Sequence, residues 1–267
     1  MYFVTIVLDG MPYIKWHHEQ FQKLPVNWRW FVTEGAAMNS HCTAWAKKQK
    51  GRLSKDGTTC YLDELVAKSK QVKVFRRPLW NGKIEMVNAH NLSMNQPGVV
   101  MQIDADEIWT NDQLTILNST FNAYPDLSGM RFFCRYFVGP DIITFGEDCY
   151  GNNPGEWMRA WRTDGTMRFT RHEPPIFNGN RGWIMNREDT RKLGLVFDHF
   201  AYATESQVAY KEQFYGYKGA VEQWQRLQDN TKWPVRLKDF LPWVDGRAQA
   251  IRITNVPTHF SLQTKVD

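Results

Sequence analysis

Short apolar runs alternate with segments of helical periodicity through the first 110 residues, and this alternation constrains the fold more than any other feature. The runs are YFVTIVL (2–8), WRWFVT (28–33), VKVFR (72–76) and GVVMQI (98–103). Each is short and continuous, which is typical of a strand buried on both faces. Because helical segments separate them, the pattern predicts an α/β fold with an open, mostly parallel sheet flanked by helices.

Helices are predicted over 39–48 and 59–69, from Lys83 onward, and over 114–121. After residue 121 the pattern changes to longer strands separated by loops rich in Gly, Pro and Asn. Residues 205–228 read as one helix, and the proline-containing end of the chain as a wrapping tail. We therefore expect one domain, 1–267, with a ligand-binding half (1–110) and a mixed α+β half (111–267).

Charged side chains follow the predicted strands. Asp9, Glu34, the pair Arg76-Arg77 and the acids Asp104 and Asp106 each come just after an apolar run. Ligands in open parallel sheets bind beyond the carboxyl ends of the strands, so these residues are expected to share one face. Acids beside a buried strand are costly unless a cation offsets them.

The Asp104-x-Asp106 pair suits a divalent cation. Two carboxylates two residues apart can hold Mg²⁺ or Mn²⁺, and positions on the metal stay open for phosphate oxygens. Taken alone, such a pair is more often a solvated turn at the end of a strand. The metal interpretation therefore depends on the surrounding pattern.

The amino-acid composition limits the classes of ligand that the chain is expected to bind. The chain has 12 Trp, 16 Phe and 10 Tyr, which form a core and also offer flat platforms for sugars. A net charge of +5 with scattered basic residues permits an anionic ligand such as a nucleotide diphosphate and does not indicate nucleic acid.

The cellular compartment is predicted from the cysteines and the apolar runs. The four cysteines form no Cys-x-x-Cys pair, which argues against a zinc ribbon or a redox motif. No leader-like segment begins the chain, and no apolar run reaches membrane-spanning length. We expect a cytoplasmic protein with free thiols and no transmembrane segment.

The pattern QIDADE after three strand–helix units resembles the nucleotide-sugar glycosyltransferases of the GT-A (Rossmann-like) fold. More narrowly, DADE is similar to the motif of the inverting glycosyltransferase family 2 group. Further stretches, at 80–92, 157–175 and 198–217, also resemble that family. The resemblance implies metal-dependent transfer of a hexosyl or pentosyl group, with inversion, from a nucleotide-diphosphate sugar to a hydroxyl of a glycan or other acceptor.

The same resemblance implies roles for individual residues. Asp104 would lie near the ribose and the metal, with Asp106 as the direct ligand of Mn²⁺ or Mg²⁺. His199 would approach the metal or the diphosphate from the far side, although a buried core histidine is an equal alternative. The remaining nucleotide-binding candidates are Asp9 and Glu34 for base and ribose, and Lys83 and Lys211 for phosphate.

Inverting transfer also needs a general base for the acceptor hydroxyl. Glu173 in RHEPP is favoured, because it stands beside His172 and before two prolines that stiffen the chain. Asp148 in GEDCYG is the alternative, in a segment that reads as a loop.

Two other functions remain open. A phosphatase of the haloacid dehalogenase class uses Asp-x-Asp-x-Thr/Val, but Ile108 replaces the Thr/Val and three strand-like runs precede the motif. A non-catalytic carbohydrate-binding module would use the Trp-rich second half and leaves the strand-end acids unexplained.

Overall fold

The computed structural model describes residues 1–38, 51–90, 93–94, 96–145, 151–152, 157–166, 168–172, 174–178, 182–244 and 248–255. The chain divides into two compact units. The first comprises Met1–Asn39, Lys50–Phe133 and Gly155–Val196, and the second Ser40–Gln49, Cys134–Pro154 and Phe197–Asp267. The helix predicted over 39–48 lies outside the described residues.

The strands are β1 (Tyr2–Val7), β2 (Arg29–Ala37), β3 (Val72–Trp80), β4 (Gly98–Gln102), β5 (Glu107–Ile108), β6 (Leu127–Arg131), β7 (Phe133–Tyr136), β8 (Ile142–Phe145), β9 (Met158–Thr163), β10 (Phe169–His172), β11 (Pro175–Phe177), β12 (Trp183–Met185), β13 (Val196–His199), β14 (Val235–Arg236) and β15 (Gln249–Arg252). The helices are α1 (Tyr13–Phe21), α2 (Thr58–Lys68), α3 (Lys83–Asn88), α4 (Asn111–Ala123), α5 (Arg187–Lys192), α6 (Glu205–Tyr215) and α7 (Ala220–Gln228). A 3₁₀ turn covers Leu237–Asp239.

The first unit is built on a seven-stranded sheet of order β12-β6-β9-β4-β1-β2-β3. Strands β4, β1, β2 and β3 are parallel neighbours, and β12 is parallel to β6. Strand β9 is antiparallel to both β4 and β6. The predicted α/β class, a mostly parallel sheet flanked by helices, is confirmed.

Both faces of this sheet are covered, as the continuous apolar runs indicate. On one face Tyr2 and Val4 belong to a buried cluster with Phe31, Val87 and Trp161. On the other face Phe3 stacks on Phe21 of α1 with ring centroids 3.7 Å apart. Alternate residues of β1 therefore enter cores on opposite sides, which fixes the strand's register.

Strands β2 and β3 continue past the ends that the sequence predicts. The backbone bulges at Gly35 (φ +137°) and β2 resumes at Ala36, so Glu34-Gly35 does not end the strand. Strand β3 runs through Pro78 to Trp80, which is possible because β3 is the last strand in the sheet order. Glu34 and Arg76 consequently lie opposite each other within paired strands rather than beyond them.

The single helix predicted over 205–228 is wrong. Helix α6 ends at Gly216 (φ +79°), and α7 begins after Gly219 (φ +72°). Gly216 has the left-handed conformation that commonly ends a helix, and Gly219, also left-handed, is the N-cap of α7. In the second unit, the predicted tail contributes β14 and β15, and β15 pairs with β8 in an antiparallel sheet.

None of the helices in the described ranges is both long and apolar enough to cross a membrane.

Candidate functional site

Residues 104–107, here named the acidic loop, follow β4 in the first unit after one intervening residue, Ile103. Asp104 and Asp106 are half-buried, whereas Glu107 is fully buried. The loop is a tight turn, because the Glu107 N–H donates to the Asp104 carbonyl at 3.0 Å. The sheet thus delivers three carboxylates to its edge and leaves two of them within reach of solvent.

Arg159 is the cation that offsets this charge. Strand β9 runs antiparallel to β4 with Ala160 opposite Met101, which brings Arg159 beside the acidic loop. Its Nη2 donates to Glu107 Oε1 at 2.5 Å and to Asp104 Oδ2 at 3.1 Å, and its Nε donates to Glu107 Oε1 at 2.9 Å. The Arg159 side chain is only 3% exposed. A bidentate pair of this kind is the usual way to retain a buried carboxylate.

Two more side chains contact the same cluster. Gln102 Nε2 donates to Asp104 Oδ1 at 3.3 Å and lies 3.3 Å from His172 Nε2. The Arg159 guanidinium lies over the Trp157 ring at 4.8 Å from its centroid. Gln102 therefore connects the acidic loop to the strand that ends next to residue 173.

His17 of α1 supports the loop backbone. Its Nε2 lies 3.1 Å from the Ala105 carbonyl oxygen. Burial lowers the pKa of His17 to about 4, and the Ala105 hydrogen bond and the negative charges of Asp106 and Asp104 only partly oppose that shift. His17 is therefore neutral at pH 7 and donates its Nε2 proton to the carbonyl.

Asp9 follows β1 and is bound by residues 51–57, here named the 51–57 loop. Asp9 takes a left-handed conformation (φ +56°), and its carboxylate accepts from Arg52 Nη1 at 3.0 Å and from the Lys55 N–H at 2.8 Å. Burial acts to raise the pKa of Asp9, but the bonds from Arg52 and Lys55 hold it below its usual value.

Glu34 is held by protein donors on several sides. The residue is 0% exposed and accepts from Arg76 Nε at 2.7 Å, from the Thr59 hydroxyl at 2.5 Å and from the Ser54 N–H at 3.2 Å. The Ser54 hydroxyl in turn accepts the Asp9 N–H at 3.0 Å. Asp9 and Glu34 are therefore brought together through the 51–57 loop, as two anchors of one segment.

The other predicted residues are placed as follows. Lys83 is the first residue of α3, after Gly82, and is half-buried. In the second unit, His199 is buried at the end of β13, with its ring 5.0 Å from the Tyr136 ring, edge to face. Lys211 of α6 donates to the Ala201 carbonyl at 2.7 Å. Both candidate bases, Glu173 and Asp148, lie outside the described residues.

The donor set of the acidic loop suits a hard divalent cation that also binds phosphate. Among the residues that the structure describes, no three or more His, Cys, Asp or Glu side chains are grouped to enclose a metal. Mg²⁺ and similar ions are nevertheless held by one or two carboxylates together with substrate phosphates and water. Asp104 and Asp106 supply that number of carboxylates, whereas Glu107 is buried against Arg159.

Sequence reasoning missed Arg159 and Arg52, which bind the predicted acids Asp104 and Asp9. Arg159 lies in WMRAWR, which reads as a strand, but the sequence does not reveal that this strand inserts antiparallel beside β4. Arg52 reaches Asp9 across 43 positions. Acids near a buried strand need cationic partners, so basic residues elsewhere in the sequence could have been considered as their partners.

No protein-family profile and no curated protein match the chain. Among solved structures, it is similar to Staphylococcus aureus TarS 1–349 with UDP (11% identity, TM-score 0.36, covering 51% of this chain and 36% of that one). TarS 1–349 also matches in a second structure (9%, 0.43, 84% and 69%). The mannosyltransferase PcManGT from Pyrobaculum calidifontis, in complex with GDP-Man and Mn²⁺, matches at 12% and 0.48, covering 90% and 66%.

The chain spans about a third of the first of these structures and 66% of the mannosyltransferase chain. Identities of 9–12% and TM-scores below 0.5 leave the activity to be argued from the residues of this chain.

Proposed function

We propose that this chain is a nucleotide-sugar glycosyltransferase. It would transfer a hexosyl or pentosyl group, with inversion, from a nucleotide-diphosphate sugar to a hydroxyl of a glycan or another acceptor. The observation that carries this proposal is the acidic loop, in which two half-buried aspartates lie beyond the end of a central parallel strand. That is where ligands bind in open α/β sheets.

Asp106 and Asp104 would hold Mn²⁺ or Mg²⁺, and the bound metal would neutralise charge on the nucleoside diphosphate as it leaves. Asp106 would make the direct contact, as the resemblance implies, while Asp104 accepts hydrogen bonds from Arg159 and Gln102. Asp104 would then add charge and orient its neighbour or the ribose.

The nucleotide would lie along the same edge of the sheet. Asp9 is exposed just past the end of β1 and is our candidate for contact with the base or ribose. Glu34, the second candidate for base and ribose, is fully buried and accepts the Ser54 N–H, so it would act by holding the 51–57 loop that flanks this edge. Lys83, at the start of α3, stays the first candidate for phosphate, and Lys211 and His199 remain proposals within the second unit.

The general base would take the acceptor's proton as its oxygen attacks the anomeric carbon. Glu173 is preferred over Asp148, because it follows His172, whose ring lies near Gln102 and hence near the acidic loop. With the proton on Glu173, the acceptor oxygen bonds to the sugar and the nucleoside diphosphate departs. An aromatic platform for an acceptor sugar would use Trp183, which is 44% exposed, and not Trp161, which is fully buried in the core.

A cytoplasmic location with free thiols is part of the proposal. Of the cysteines in the described ranges, Cys60 and Cys134 are free thiols, the first exposed and the second buried. The location itself is measured by fractionation of cells that express the tagged chain.

Titration calorimetry with UDP and GDP, each with and without Mn²⁺, tests the function. A transferase of this kind binds at least one nucleoside diphosphate in a metal-dependent manner, and Asp106→Asn abolishes that binding. A carbohydrate-binding module binds sugar without metal, and a phosphatase releases phosphate from phosphate esters. A panel of nucleotide sugars, scored by their slow hydrolysis, then identifies the donor.

A further inference from the structure

We propose that Arg159 is the positioning residue of the acidic loop: anchored on buried Glu107, it holds the Asp104 carboxylate in the orientation that metal and nucleotide require. This inference rests on the proposed function and adds a residue that the sequence motif did not contain. Arg159 acts through Asp104 and is not itself proposed to touch the substrate.

The geometry makes one nitrogen the link between two carboxylates. Arg159 Nη2 donates to Glu107 at 2.5 Å and to Asp104 at 3.1 Å, while Nε is shared between the two Glu107 oxygens at 2.9 and 3.2 Å. A guanidinium fork satisfies this arrangement because its N–H groups are fixed in one plane. A lysine ammonium in the same place keeps the charge but lacks the planar fork that fixes both contacts.

The two carboxylates differ in what they can reach. The Glu107 side chain is 0% exposed and the Asp104 side chain 24% exposed. Glu107 also accepts the Asp104 N–H at 3.2 Å, so it fixes the loop backbone as well as the guanidinium. Glu107 is therefore the buried anchor of the cluster, and Asp104 is its solvent-accessible end.

The Asp104 carboxylate is restrained on both of its oxygens. Arg159 donates to Oδ2, and Gln102 donates to Oδ1 at 3.3 Å. The guanidinium is in turn supported by the Trp157 ring beneath it. Residues that orient a metal ligand in this way typically change metal affinity or activity by about 10–100-fold when they are replaced.

The closing experiment separates positioning from a purely structural role. Arg159→Lys keeps a charge beside Glu107 and removes the planar fork. Arg162→Lys is the matched control on the same strand, because within the described part of the chain Arg162 donates to backbone carbonyls, those of Leu127, Phe121 and Tyr124. For each variant, Mn²⁺-dependent binding of UDP and GDP is measured by calorimetry and the melting temperature by scanning.

We expect Arg159→Lys to weaken Mn²⁺-dependent nucleotide binding by about 10–100-fold. Arg162→Lys should leave that binding unchanged, whatever it does to the melting temperature. If Arg159→Lys should fail to fold, Arg159→Met with Glu107→Gln removes both buried charges and keeps an acceptor for the Asp104 N–H. This double variant is expected to fold and to show the same loss of binding.

The last measurement compares Arg159→Lys in the wild-type chain with Arg159→Lys in a chain that also carries Asp104→Asn. If Arg159 acts through Asp104, Arg159→Lys adds little to the loss already caused by Asp104→Asn, so the two effects are not additive. The positioning role is overturned if the losses of binding caused by Arg159→Lys and Asp104→Asn add. It is also overturned if Arg159→Lys folds and binds nucleotide with unchanged Mn²⁺ dependence. If the wild-type chain binds neither UDP nor GDP with Mn²⁺, the proposed function itself is overturned. This result is distinct from a failure of the positioning role, because it is seen before any variant is compared.

Discussion

Arg52 donates from Nη1 to the Asp9 carboxylate at 3.0 Å and thereby ties the 51–57 loop to the end of β1. Both side chains are partly exposed, at 25% and 32%. Water therefore screens the pair, and its contribution to stability is limited to about 1 kcal/mol, the upper range for exposed pairs. Its main effect is to hold a flanking segment in place rather than to stabilise the whole unit.

Asp9→Asn is therefore expected to lower the free energy of unfolding by about 1 kcal/mol or less at pH 7, as measured by urea denaturation. The pKa of Asp9 is depressed in the folded state, so its contribution is present above the ordinary value of 3.8 and is lost as the pH falls through the lower folded value. Wild type and Asp9→Asn should thus converge in stability in strong acid.

Arg52→Met is the matched variant for Asp9→Asn. If the loss in Asp9→Asn comes from its bond to Arg52, the double variant is no less stable than either single one. Losses that simply add would show that the two side chains act independently of each other.

Asp106→Ala should abolish Mn²⁺-dependent binding of nucleoside diphosphate and leave the fold intact. Asp106 is half-buried beyond the end of β4 and is not among the buried residues of the described part of the chain, so truncation should leave no buried cavity there. Calorimetry measures the binding, and the melting temperature measures the fold. Normal Mn²⁺ dependence in the variant contradicts the assignment of Asp106 as a metal ligand.

Buried His90 predicts a loss of stability in acid. Burial lowers the pKa of His90 to about 4, with a smaller contribution from Arg168, and the ring stacks on Phe31 at 5.4 Å. The unfolded chain binds this proton near pH 6.5 and the folded chain near 4, so stability falls as the pH is lowered between these values. At about 1.4 kcal/mol per pH unit, the full loss is about 3 kcal/mol.

His90→Phe keeps the stack on Phe31 and removes the titrating group. Urea unfolding measures how far the free energy of unfolding falls between pH 7 and pH 4.5. This fall should be smaller for the variant than for wild type, because the variant lacks the uptake of up to about one proton at residue 90 on unfolding. His17, also with a pKa of about 4, supplies part of the drop that remains. An unchanged pH dependence in His90→Phe would contradict this origin.

His199→Ala distinguishes two interpretations of a residue in the second unit. If His199 contacts the metal or the diphosphate, its replacement weakens Mn²⁺-dependent nucleotide binding more than it weakens folding. If His199 is a core histidine packed edge to face against Tyr136, its replacement mainly lowers the melting temperature. Unchanged Mn²⁺-dependent affinity together with a large fall in melting temperature decides for the core histidine.

The sequence predicts the strands of the first unit better than the way they assemble. Continuous apolar runs identify β1 to β4, because strands buried on both faces need them. The insertion of β9 between β4 and β6 follows from long-range pairing that no local pattern encodes, and Arg159 depends on it. The break between α6 and α7 could have been predicted from Gly216 and Gly219, because glycines with positive φ interrupt a helix, but the apolar stripe continues on both sides of them.

Glu173→Gln should separate binding from chemistry. A general base acts on the acceptor proton in the transition state and contributes little to donor binding, so kcat falls while the donor KM stays near normal. The expected loss in kcat is about 10²–10⁴-fold. Glutamine keeps the size of the side chain and an acceptor oxygen, so the backbone at His172, which pairs with Pro175, should be preserved.

Asp148→Asn is the matched control for the base, because sequence offers both carboxylates and each lies outside the described residues. If Glu173 is the base, Asp148→Asn retains turnover and only Glu173→Gln loses it. The reverse result moves the base to GEDCYG and leaves the acidic loop as the donor site. Glu173 is favoured because the Gln102–His172 contact brings the residue before it close to Asp104 and hence to the proposed donor site.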